Sequence, residues 1–183
     1  LGSTMTPFFL KLGYKVTVLD NLYFGQAPLL DCCRYTDFEF VEGDICNMEL
    51  IKRILPKFDV IVPLAAIVGA PACQRNPALT RLVNYDAHIN IVNNISTEQA
   101  VLFPTTNSGY GIGKEDKFCD ENSPLNPISL YGKTKADAEK VVQKFKNSVE
   151  KVAIWIAIKN TVAVSSFAQS HPDRRGNLRT SFA

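Results

Sequence analysis

Tyr131 and Lys135 stand four residues apart in Ser129-Leu130-Tyr131-Gly132-Lys133-Thr134-Lys135, where a helical pattern opens. An i, i+4 pair shares one helix face. A phenol ordinarily titrates near pH ~10, and an ammonium beside it favours the phenolate. The pair can therefore act as a general base that takes a proton from an alcohol. The same spacing also fits a surface Tyr and Lys on an ordinary helix. Other chemistry-bearing residues recur where short apolar runs end. Asp20 closes Lys15-Val16-Thr17-Val18-Leu19, where an acid can hold both hydroxyls of an adenosine ribose or cap a turn. Gly2 opens the first helical stretch, where a glycine lets a pyrophosphate approach a helix N-terminus. Asp44, after Gly43, can accept from an adenine amino group or cap the helix that begins at Met48. Ala65 and Ala66 leave room for a flat ligand. Thr106 can share a substrate oxygen with Tyr131 or simply finish a strand. Asn84 reads as a buried polar tie between its helix and the next strand.

These positions need a scaffold that brings run ends together. Ser3 to Leu12 reads as a helix stopped by Gly13. Lys15 to Leu19, Phe38 to Glu42, Val60 to Leu64 and Val101 to Phe103 read as strands, and Val152 to Ile158 as a fifth. Met48 to Leu55, Pro77 to Ser96 and Ser129 to Phe145 read as helices, and Gly109 to Pro127 as loop. Strands alternating with helices, several of them continuously apolar, predict a parallel sheet covered on both faces. Ligands of such sheets bind beyond the carboxyl ends of the strands.

The 183 residues suffice for one domain with a sizeable core. Apolar content of 46% and charged content of 21% are those of a soluble globular chain. A net charge of +2, with basic residues scattered except near Arg174-Arg175 and Arg179, makes no case for a nucleic-acid partner. No apolar run is long enough for a membrane span, and the amino end lacks the basic start of a signal peptide. The five cysteines, including Cys119, lack metal-ligand or paired spacing. No metal site is expected, and free thiols in the cytoplasm are.

Taken in order, six segments resemble the extended short-chain dehydrogenase/reductase family, in particular its nucleotide-sugar epimerases and dehydratases. They are Leu1-Gly2-Ser3, Val16 to Leu22, Glu42-Gly43-Asp44-Ile45, Val60 to Ala66, Thr105 to Gly111, and Pro127 to Lys135. The resemblance implies an NAD cofactor. Asp20 and Asn21 would contact its adenosine ribose, Asp44 and Ile45 its adenine, and Leu64, Ala65 and Ala66 would line it. Gly2 would stand at its pyrophosphate. Tyr131 would be the catalytic base, Lys135 its partner at the nicotinamide ribose, and Thr106 the hydroxyl on the reacting sugar oxygen. A nucleotide-sugar substrate is implied, transiently oxidised at a sugar carbon. In the family's 4,6-dehydratases an Asp and a Glu follow the hydroxyl residue. Asn107 and Ser108 stand there in this chain, which disfavours elimination.

The family opens with a strand and Gly-x-x-Gly-x-x-Gly, and the chain starts at the last of those glycines. Beyond about Val149 the family pattern is no longer recognisable. The expectation is thus a Rossmann-like doubly wound parallel sheet lacking the first strand and the C-terminal substrate subdomain. Residues 1–160 would form a partial NAD-binding domain, and residues 161–183 a polar, disordered or aberrant tail. A missing central strand would leave backbone groups unpaired, so weak stability or completion by another segment is expected, a strand from the tail being one candidate. The expected function is an NAD-dependent nucleotide-sugar epimerase present as a fragment inactive by itself. The alternatives are a sugar or alcohol reductase, and a non-catalytic Rossmann remnant that binds a nucleotide or a partner. A homodimer through the Pro77–Ser96 and Ser129–Phe145 helices is a further expectation.

Overall fold

The computed structural model describes residues 1–112, 123–146, 161–165, 171–172 and 178–179. Helix α1 (Gly2–Lys11) leads into strand β1 (Lys15–Asp20). The turn between them runs through Gly13 at φ +82°, a left-handed conformation that a side chain would strain. Strand β2 (Phe38–Glu42), helix α2 (Met48–Ile54) and strand β3 (Val60–Pro63) follow. Asn47 starts α2 by accepting a hydrogen bond from the Leu50 N–H at 3.1 Å. Helices α3 (Ala70–Arg75), α4 (Pro77–Arg81) and α5 (Ala87–Asn94) come next, then strand β4 (Ala100–Val101) and helix α6 (Leu130–Lys146). The long helix expected over residues 77–96 is interrupted at Leu82–Asp86 by a wider π turn that joins α4 to α5.

Strand β5 (Thr161–Ser165) follows α6, and a short antiparallel pair joins β6 (His171–Pro172) to β7 (Leu178–Arg179). The main sheet has the order β2-β1-β5-β3-β4, and every pairing in it is parallel. Thus β1 and β3 do not pair with each other. Thr161–Ser165, which the sequence reading leaves to the tail, runs between them, with Val16 opposite Val162 and Val60 opposite the same residue. The centre of the sheet is thus filled by a strand from late in the chain. The run expected as the fifth strand, Val152 to Ile158, lies outside the described residues.

Side chains alternate across the sheet as the strand period requires. Val16, Val18 and Val62 bury with Leu10 of α1 on one face. Leu19, Ile61 and Val101 bury on the other with Ile51 and Ile54 of α2, Ile91 of α5, and Ala138 and Val142 of α6. The carboxyl ends of β1, β3 and β4 therefore open toward one edge, with α5 and α6 closing beneath. Among the described residues no helix is long and apolar enough to cross a membrane.

The central strand is tested by Ala163→Pro. The proline removes a backbone donor from a strand paired on both sides. Loss of at least about 1–3 kcal/mol of stability is expected, by the cost of an unsatisfied buried backbone group. An unchanged urea midpoint followed by circular dichroism would show that Thr161–Ser165 does not occupy the centre.

Candidate cofactor and proton-transfer site

Asp20 and Asn21 end β1 in a tight turn. Asp20 Oδ1 accepts from the Leu22 N–H at 2.8 Å, and Asn21 Oδ1 accepts from the Tyr23 N–H at 3.1 Å. Leu22 adopts φ +50° there. Asn21 Nδ2 donates to Asp44 Oδ2 at 3.1 Å, while Asp44 Oδ1 accepts from the Cys46 N–H at 2.7 Å. The two loops beyond β1 and β2 are therefore laced together through Asp44. Burial pushes the Asp44 carboxyl up, but the hydrogen bonds from Cys46 and Asn21 outweigh it, and the net shift is downward. Asp44 is thus ionised at neutral pH and tied to its own loop. The expectation that it caps α2 is not what is seen, since Asn47 does that.

A cavity of about 100 Å³ opens between these loops and the end of β3. Leu19, Asp20, Asn21, Asp44, Ile45 and Ala65 line it, with Ile67, Leu79 and Val83 on the far wall. Five of the residues expected at an adenosine are thus brought together. Three others stand apart from the cavity lining. Ala66 is buried next to Ala65, Leu64 packs with Val62 on the opposite face of the sheet, and Gly2 is buried at the start of α1. A larger cavity, about 200 Å³, lies on the other side of Asp20 against Tyr23, Phe24, Leu29, Phe38 and Phe40. It is almost wholly apolar, whereas the smaller one gathers an acid, an amide and a second acid. The smaller one has the donors and acceptors that a ribose and a base require.

Tyr131 and Lys135, the residues expected to transfer a proton, stand on α6. Gly132 sits where an added Cβ would fall 2.5 Å from the Ser108 carbonyl oxygen and 3.2 Å from Pro127 Cβ. Only a glycine lets the first turn of α6 press onto the loop that carries Thr106. Thr106 is half-buried and its Oγ1 accepts from the Ser108 N–H at 3.3 Å. Tyr131 is half-buried in the adjoining turn. Asn84, in the π turn and fully buried, fixes the same helix from below. Its amide accepts from the Ile67 N–H at 2.7 Å, donates to the Ile67 carbonyl at 2.9 Å, and reaches Thr134 Oγ1 at 3.5 Å. Thr134 in turn hydrogen-bonds the Leu130 and Tyr131 carbonyls. Asn84 therefore ties the loop after β3 to the helix that bears Tyr131, not merely to a neighbouring strand.

Lys135 is 4% exposed, and its Nζ lies 4.2 Å from the centroid of the Phe103 ring. Burial pulls its ammonium down to about 8, partly opposed by the Glu139 carboxylate. Glu139 also accepts from the Thr105 hydroxyl. Buried His88 packs edge-on against Phe103, with ring centroids 5.3 Å apart, and its Nδ1 lies 3.0 Å from the Val83 carbonyl. Burial, and then the Lys135 charge, push the imidazole down to about 3, against the pull of the Val83 and Pro63 carbonyls. Sequence reasoning missed Phe103, His88 and Glu139 as neighbours of Lys135. Only Glu139 was legible, one helical turn after Lys135 on the same face. Cys119 and the loop from residue 113 to 122 lie outside the described residues. Cys32, Cys33, Cys46 and Cys73 are free thiols.

Set against known proteins, residues 1–177 match the model of the NAD dependent epimerase/dehydratase family. The UDP-glucose 4-epimerase of Lactobacillus helveticus is 33% identical over 152 residues, covering 78% of this chain and 43% of that protein. The UDP-Glc/GlcNAc 4-epimerase of Campylobacter jejuni superposes with a TM-score of 0.71 at 28% identity, over 80% of this chain and 45% of that one. The UDP-glucose 4-epimerase of Thermus thermophilus, solved in complex with NAD, superposes with a TM-score of 0.71 at 24% identity, over 82% of this chain and 49% of that one. The chain spans less than half the length of these relatives.

Two outcomes are expected of the site's packing. Gly132→Ala should push α6 off the Thr106 loop and cost about 1–3 kcal/mol, as overpacking does. A denaturation midpoint equal to that of the parent protein would refute the close approach. His88 stays neutral in the fold and titrates near 6.5 when unfolded. Its contribution to stability is therefore complete above that value and declines as pH falls toward about 3. The limiting slope of one proton is about 1.4 kcal/mol per pH unit. His88→Gln should remove this slope, so urea midpoints of the two proteins should converge between pH 7.5 and 5. Parallel midpoints would place a charged imidazole in the native state.

Proposed function

This chain belongs to the NAD dependent epimerase/dehydratase family, and on that premise we propose that it carries the cofactor-binding and proton-transfer part of a nucleotide-sugar 4-epimerase. The observation that carries the reading is the close packing of α6, which bears Tyr131 and Lys135, onto the Thr106 loop at Gly132, with Asn84 tying α6 at Thr134 to Ile67, a residue that lines the Asp20–Asp44 cavity. The residues fit the adenosine half of NAD. Asp20 and Asn21 would hold the ribose hydroxyls, and Asp44 and Ile45 the adenine. Asp20, with no arginine beside it in Val18 to Phe24, would repel a 2′-phosphate.

When bound, NAD supplies an acceptor for hydride from a sugar carbon. Thr106 would hold the sugar oxygen in place, and Tyr131 would take its proton. Lys135, one helical turn further along α6, would be the partner of Tyr131 and hold the nicotinamide ribose. Return of the proton from Tyr131 to the same oxygen, as the hydride returns to the sugar carbon, would restore the hydroxyl, with inverted configuration if the hydride arrives on the opposite face of that carbon. Asn107 and Ser108 offer no carboxylic acid, which disfavours an elimination step. The family's UDP-glucose 4-epimerases make UDP-glucose and UDP-galactose the first substrates to try.

A second reading is a module that holds a nucleotide without turning over a sugar. One observation favours it. The residues that follow the central strand are Ser166-Phe167-Ala168-Gln169, with none of the glycines that let a backbone approach a pyrophosphate. A single set of measurements, on the protein completed to the length of its relatives, separates the readings. NAD should bind more tightly than NADP, and UDP-glucose and UDP-galactose should interconvert, turnover that the 183-residue chain by itself is not expected to show. Tyr131→Phe should cut that turnover about 10²–10⁴-fold and leave NAD affinity in place. NAD binding without turnover would support the second reading. Preference for NADP would remove Asp20 from the ribose, and unchanged turnover in Tyr131→Phe would remove Tyr131 from the mechanism.

A further inference from the structure

Lys135 is buried, and among the described residues its Nζ makes no ion pair and no hydrogen bond. A buried ammonium needs compensation for its lost hydration. What it meets is the face of Phe103, at 4.2 Å from the ring centroid. The negative face of an aromatic ring attracts a cation, and more strongly where water is excluded. Phe103 is itself 5% exposed and follows directly from β4, held to β3 by the Leu102 N–H on the Ile61 carbonyl at 2.8 Å. His88 stands edge-on to it at an interplanar angle of 88°. His88 is anchored in turn on the Val83 carbonyl, inside the π turn that also carries Asn84.

We propose that Phe103 is a positioning residue for Lys135, its ring face seating the ammonium and the neutral His88 ring holding Phe103 in place. The inference rests on the reading of Lys135 as the partner of Tyr131. An ordinary core phenylalanine would need only its volume at this position, whereas a seat for a cation needs the ring. The titratable groups facing Lys135 are Glu139 on its own helix and His88 from α5, with Tyr131 one turn earlier on α6. Glu139 favours the charged lysine. A protonated His88 would oppose it, so the neutrality of His88 is a condition of the seat.

The test is nuclear magnetic resonance of the full chain labelled with ¹³C at the lysine ε-carbons, with Lys135→Met used only to assign the signal. In the parent protein the Lys135 ε-methylene should resonate upfield of the other lysines, shielded by the ring beneath it, and titrate near 8. Phe103→Leu keeps an apolar side chain without the ring. It should abolish the upfield displacement and lower the titration midpoint by about one pH unit, the size of a desolvated cation–π contact. Phe103→Tyr should keep both signatures. An ordinary ε-methylene shift in the parent protein would overturn the proposal, as would a Phe103→Leu protein that titrates like its parent. Should Phe103→Leu not fold, the parent spectrum and Phe103→Tyr decide the matter. None of these readings requires turnover, so the seat can fail while Tyr131 stands, and the converse holds equally.

Discussion

A parallel strand in the middle of a sheet must satisfy hydrogen bonds on both of its edges, and so must the two strands that flank it. In this chain β1 and β3 have no ladder with each other. Both are completed by Thr161–Ser165, with Thr17 and Ile61 opposite Ala163 from either side. Unpaired buried backbone groups cost about as much as the whole net gain from several hydrogen bonds, so the position of every other element follows from this pairing. The spacing it imposes brings Asp20, at the end of β1, and Ala65, beyond the end of β3, to one cavity. A strand from far along the sequence thereby spaces a crevice whose lining comes from the first half of the chain.

The second half of the site depends on a different kind of constraint, close packing of backbone on backbone. Helix α6 approaches the Thr106 loop closely enough that a methyl group at Gly132 would collide with the Ser108 carbonyl. Nothing in that contact is strongly attractive. It holds because Asn84 binds Ile67 on one side and Thr134 on the other, a fully buried amide whose donors and acceptor are engaged. A satisfied buried amide of this kind specifies one arrangement, because any displacement leaves it unpaired. The π turn around Asn84 gives the long helix an extra residue just where its side chain must reach two separate elements.

Charge in this site is managed by burial more than by pairing. Asp44 sits near the surface and is held ionised by hydrogen bonds from its own loop and from Asn21. Lys135 and His88 are both deep and both pulled toward their neutral forms. Lys135 lies over the face of Phe103 and His88 forms a T-shaped pair with the same ring, so two groups that cannot comfortably be charged together meet at one ring. The lysine therefore stays within reach of both protonation states near neutral pH, which a fully hydrated lysine would not.

Local pattern alone determined much of the fold. The alternation of apolar runs with helical stretches identifies β1, β2 and β3 to within a residue, and a glycine stop places the end of α1, whereas the cap of α2 is Asn47 and not Asp44. The ends of those runs also named Asp20, Asp44 and Ala65, because a ligand crevice beyond strand ends is a property of the sheet and not of any one contact; Asn21 and Ile45 were named by the family resemblance. Tyr131 and Lys135 were legible as a pair because four residues make one helical turn. What remained for the tertiary structure was everything that depends on distance through space between remote segments. Thr161–Ser165 is short and lies beside a polar run, so no local period distinguishes it from tail. Only two strands lacking a partner make it the centre of the sheet. Phe103 and His88 are ordinary core residues by sequence, separated from Lys135 by 32 and 47 positions. Their relation to its charge arises only when β4, α5 and α6 stack on one face, since the attraction between a cation and a ring acts across a few ångströms and leaves no periodic trace along the chain.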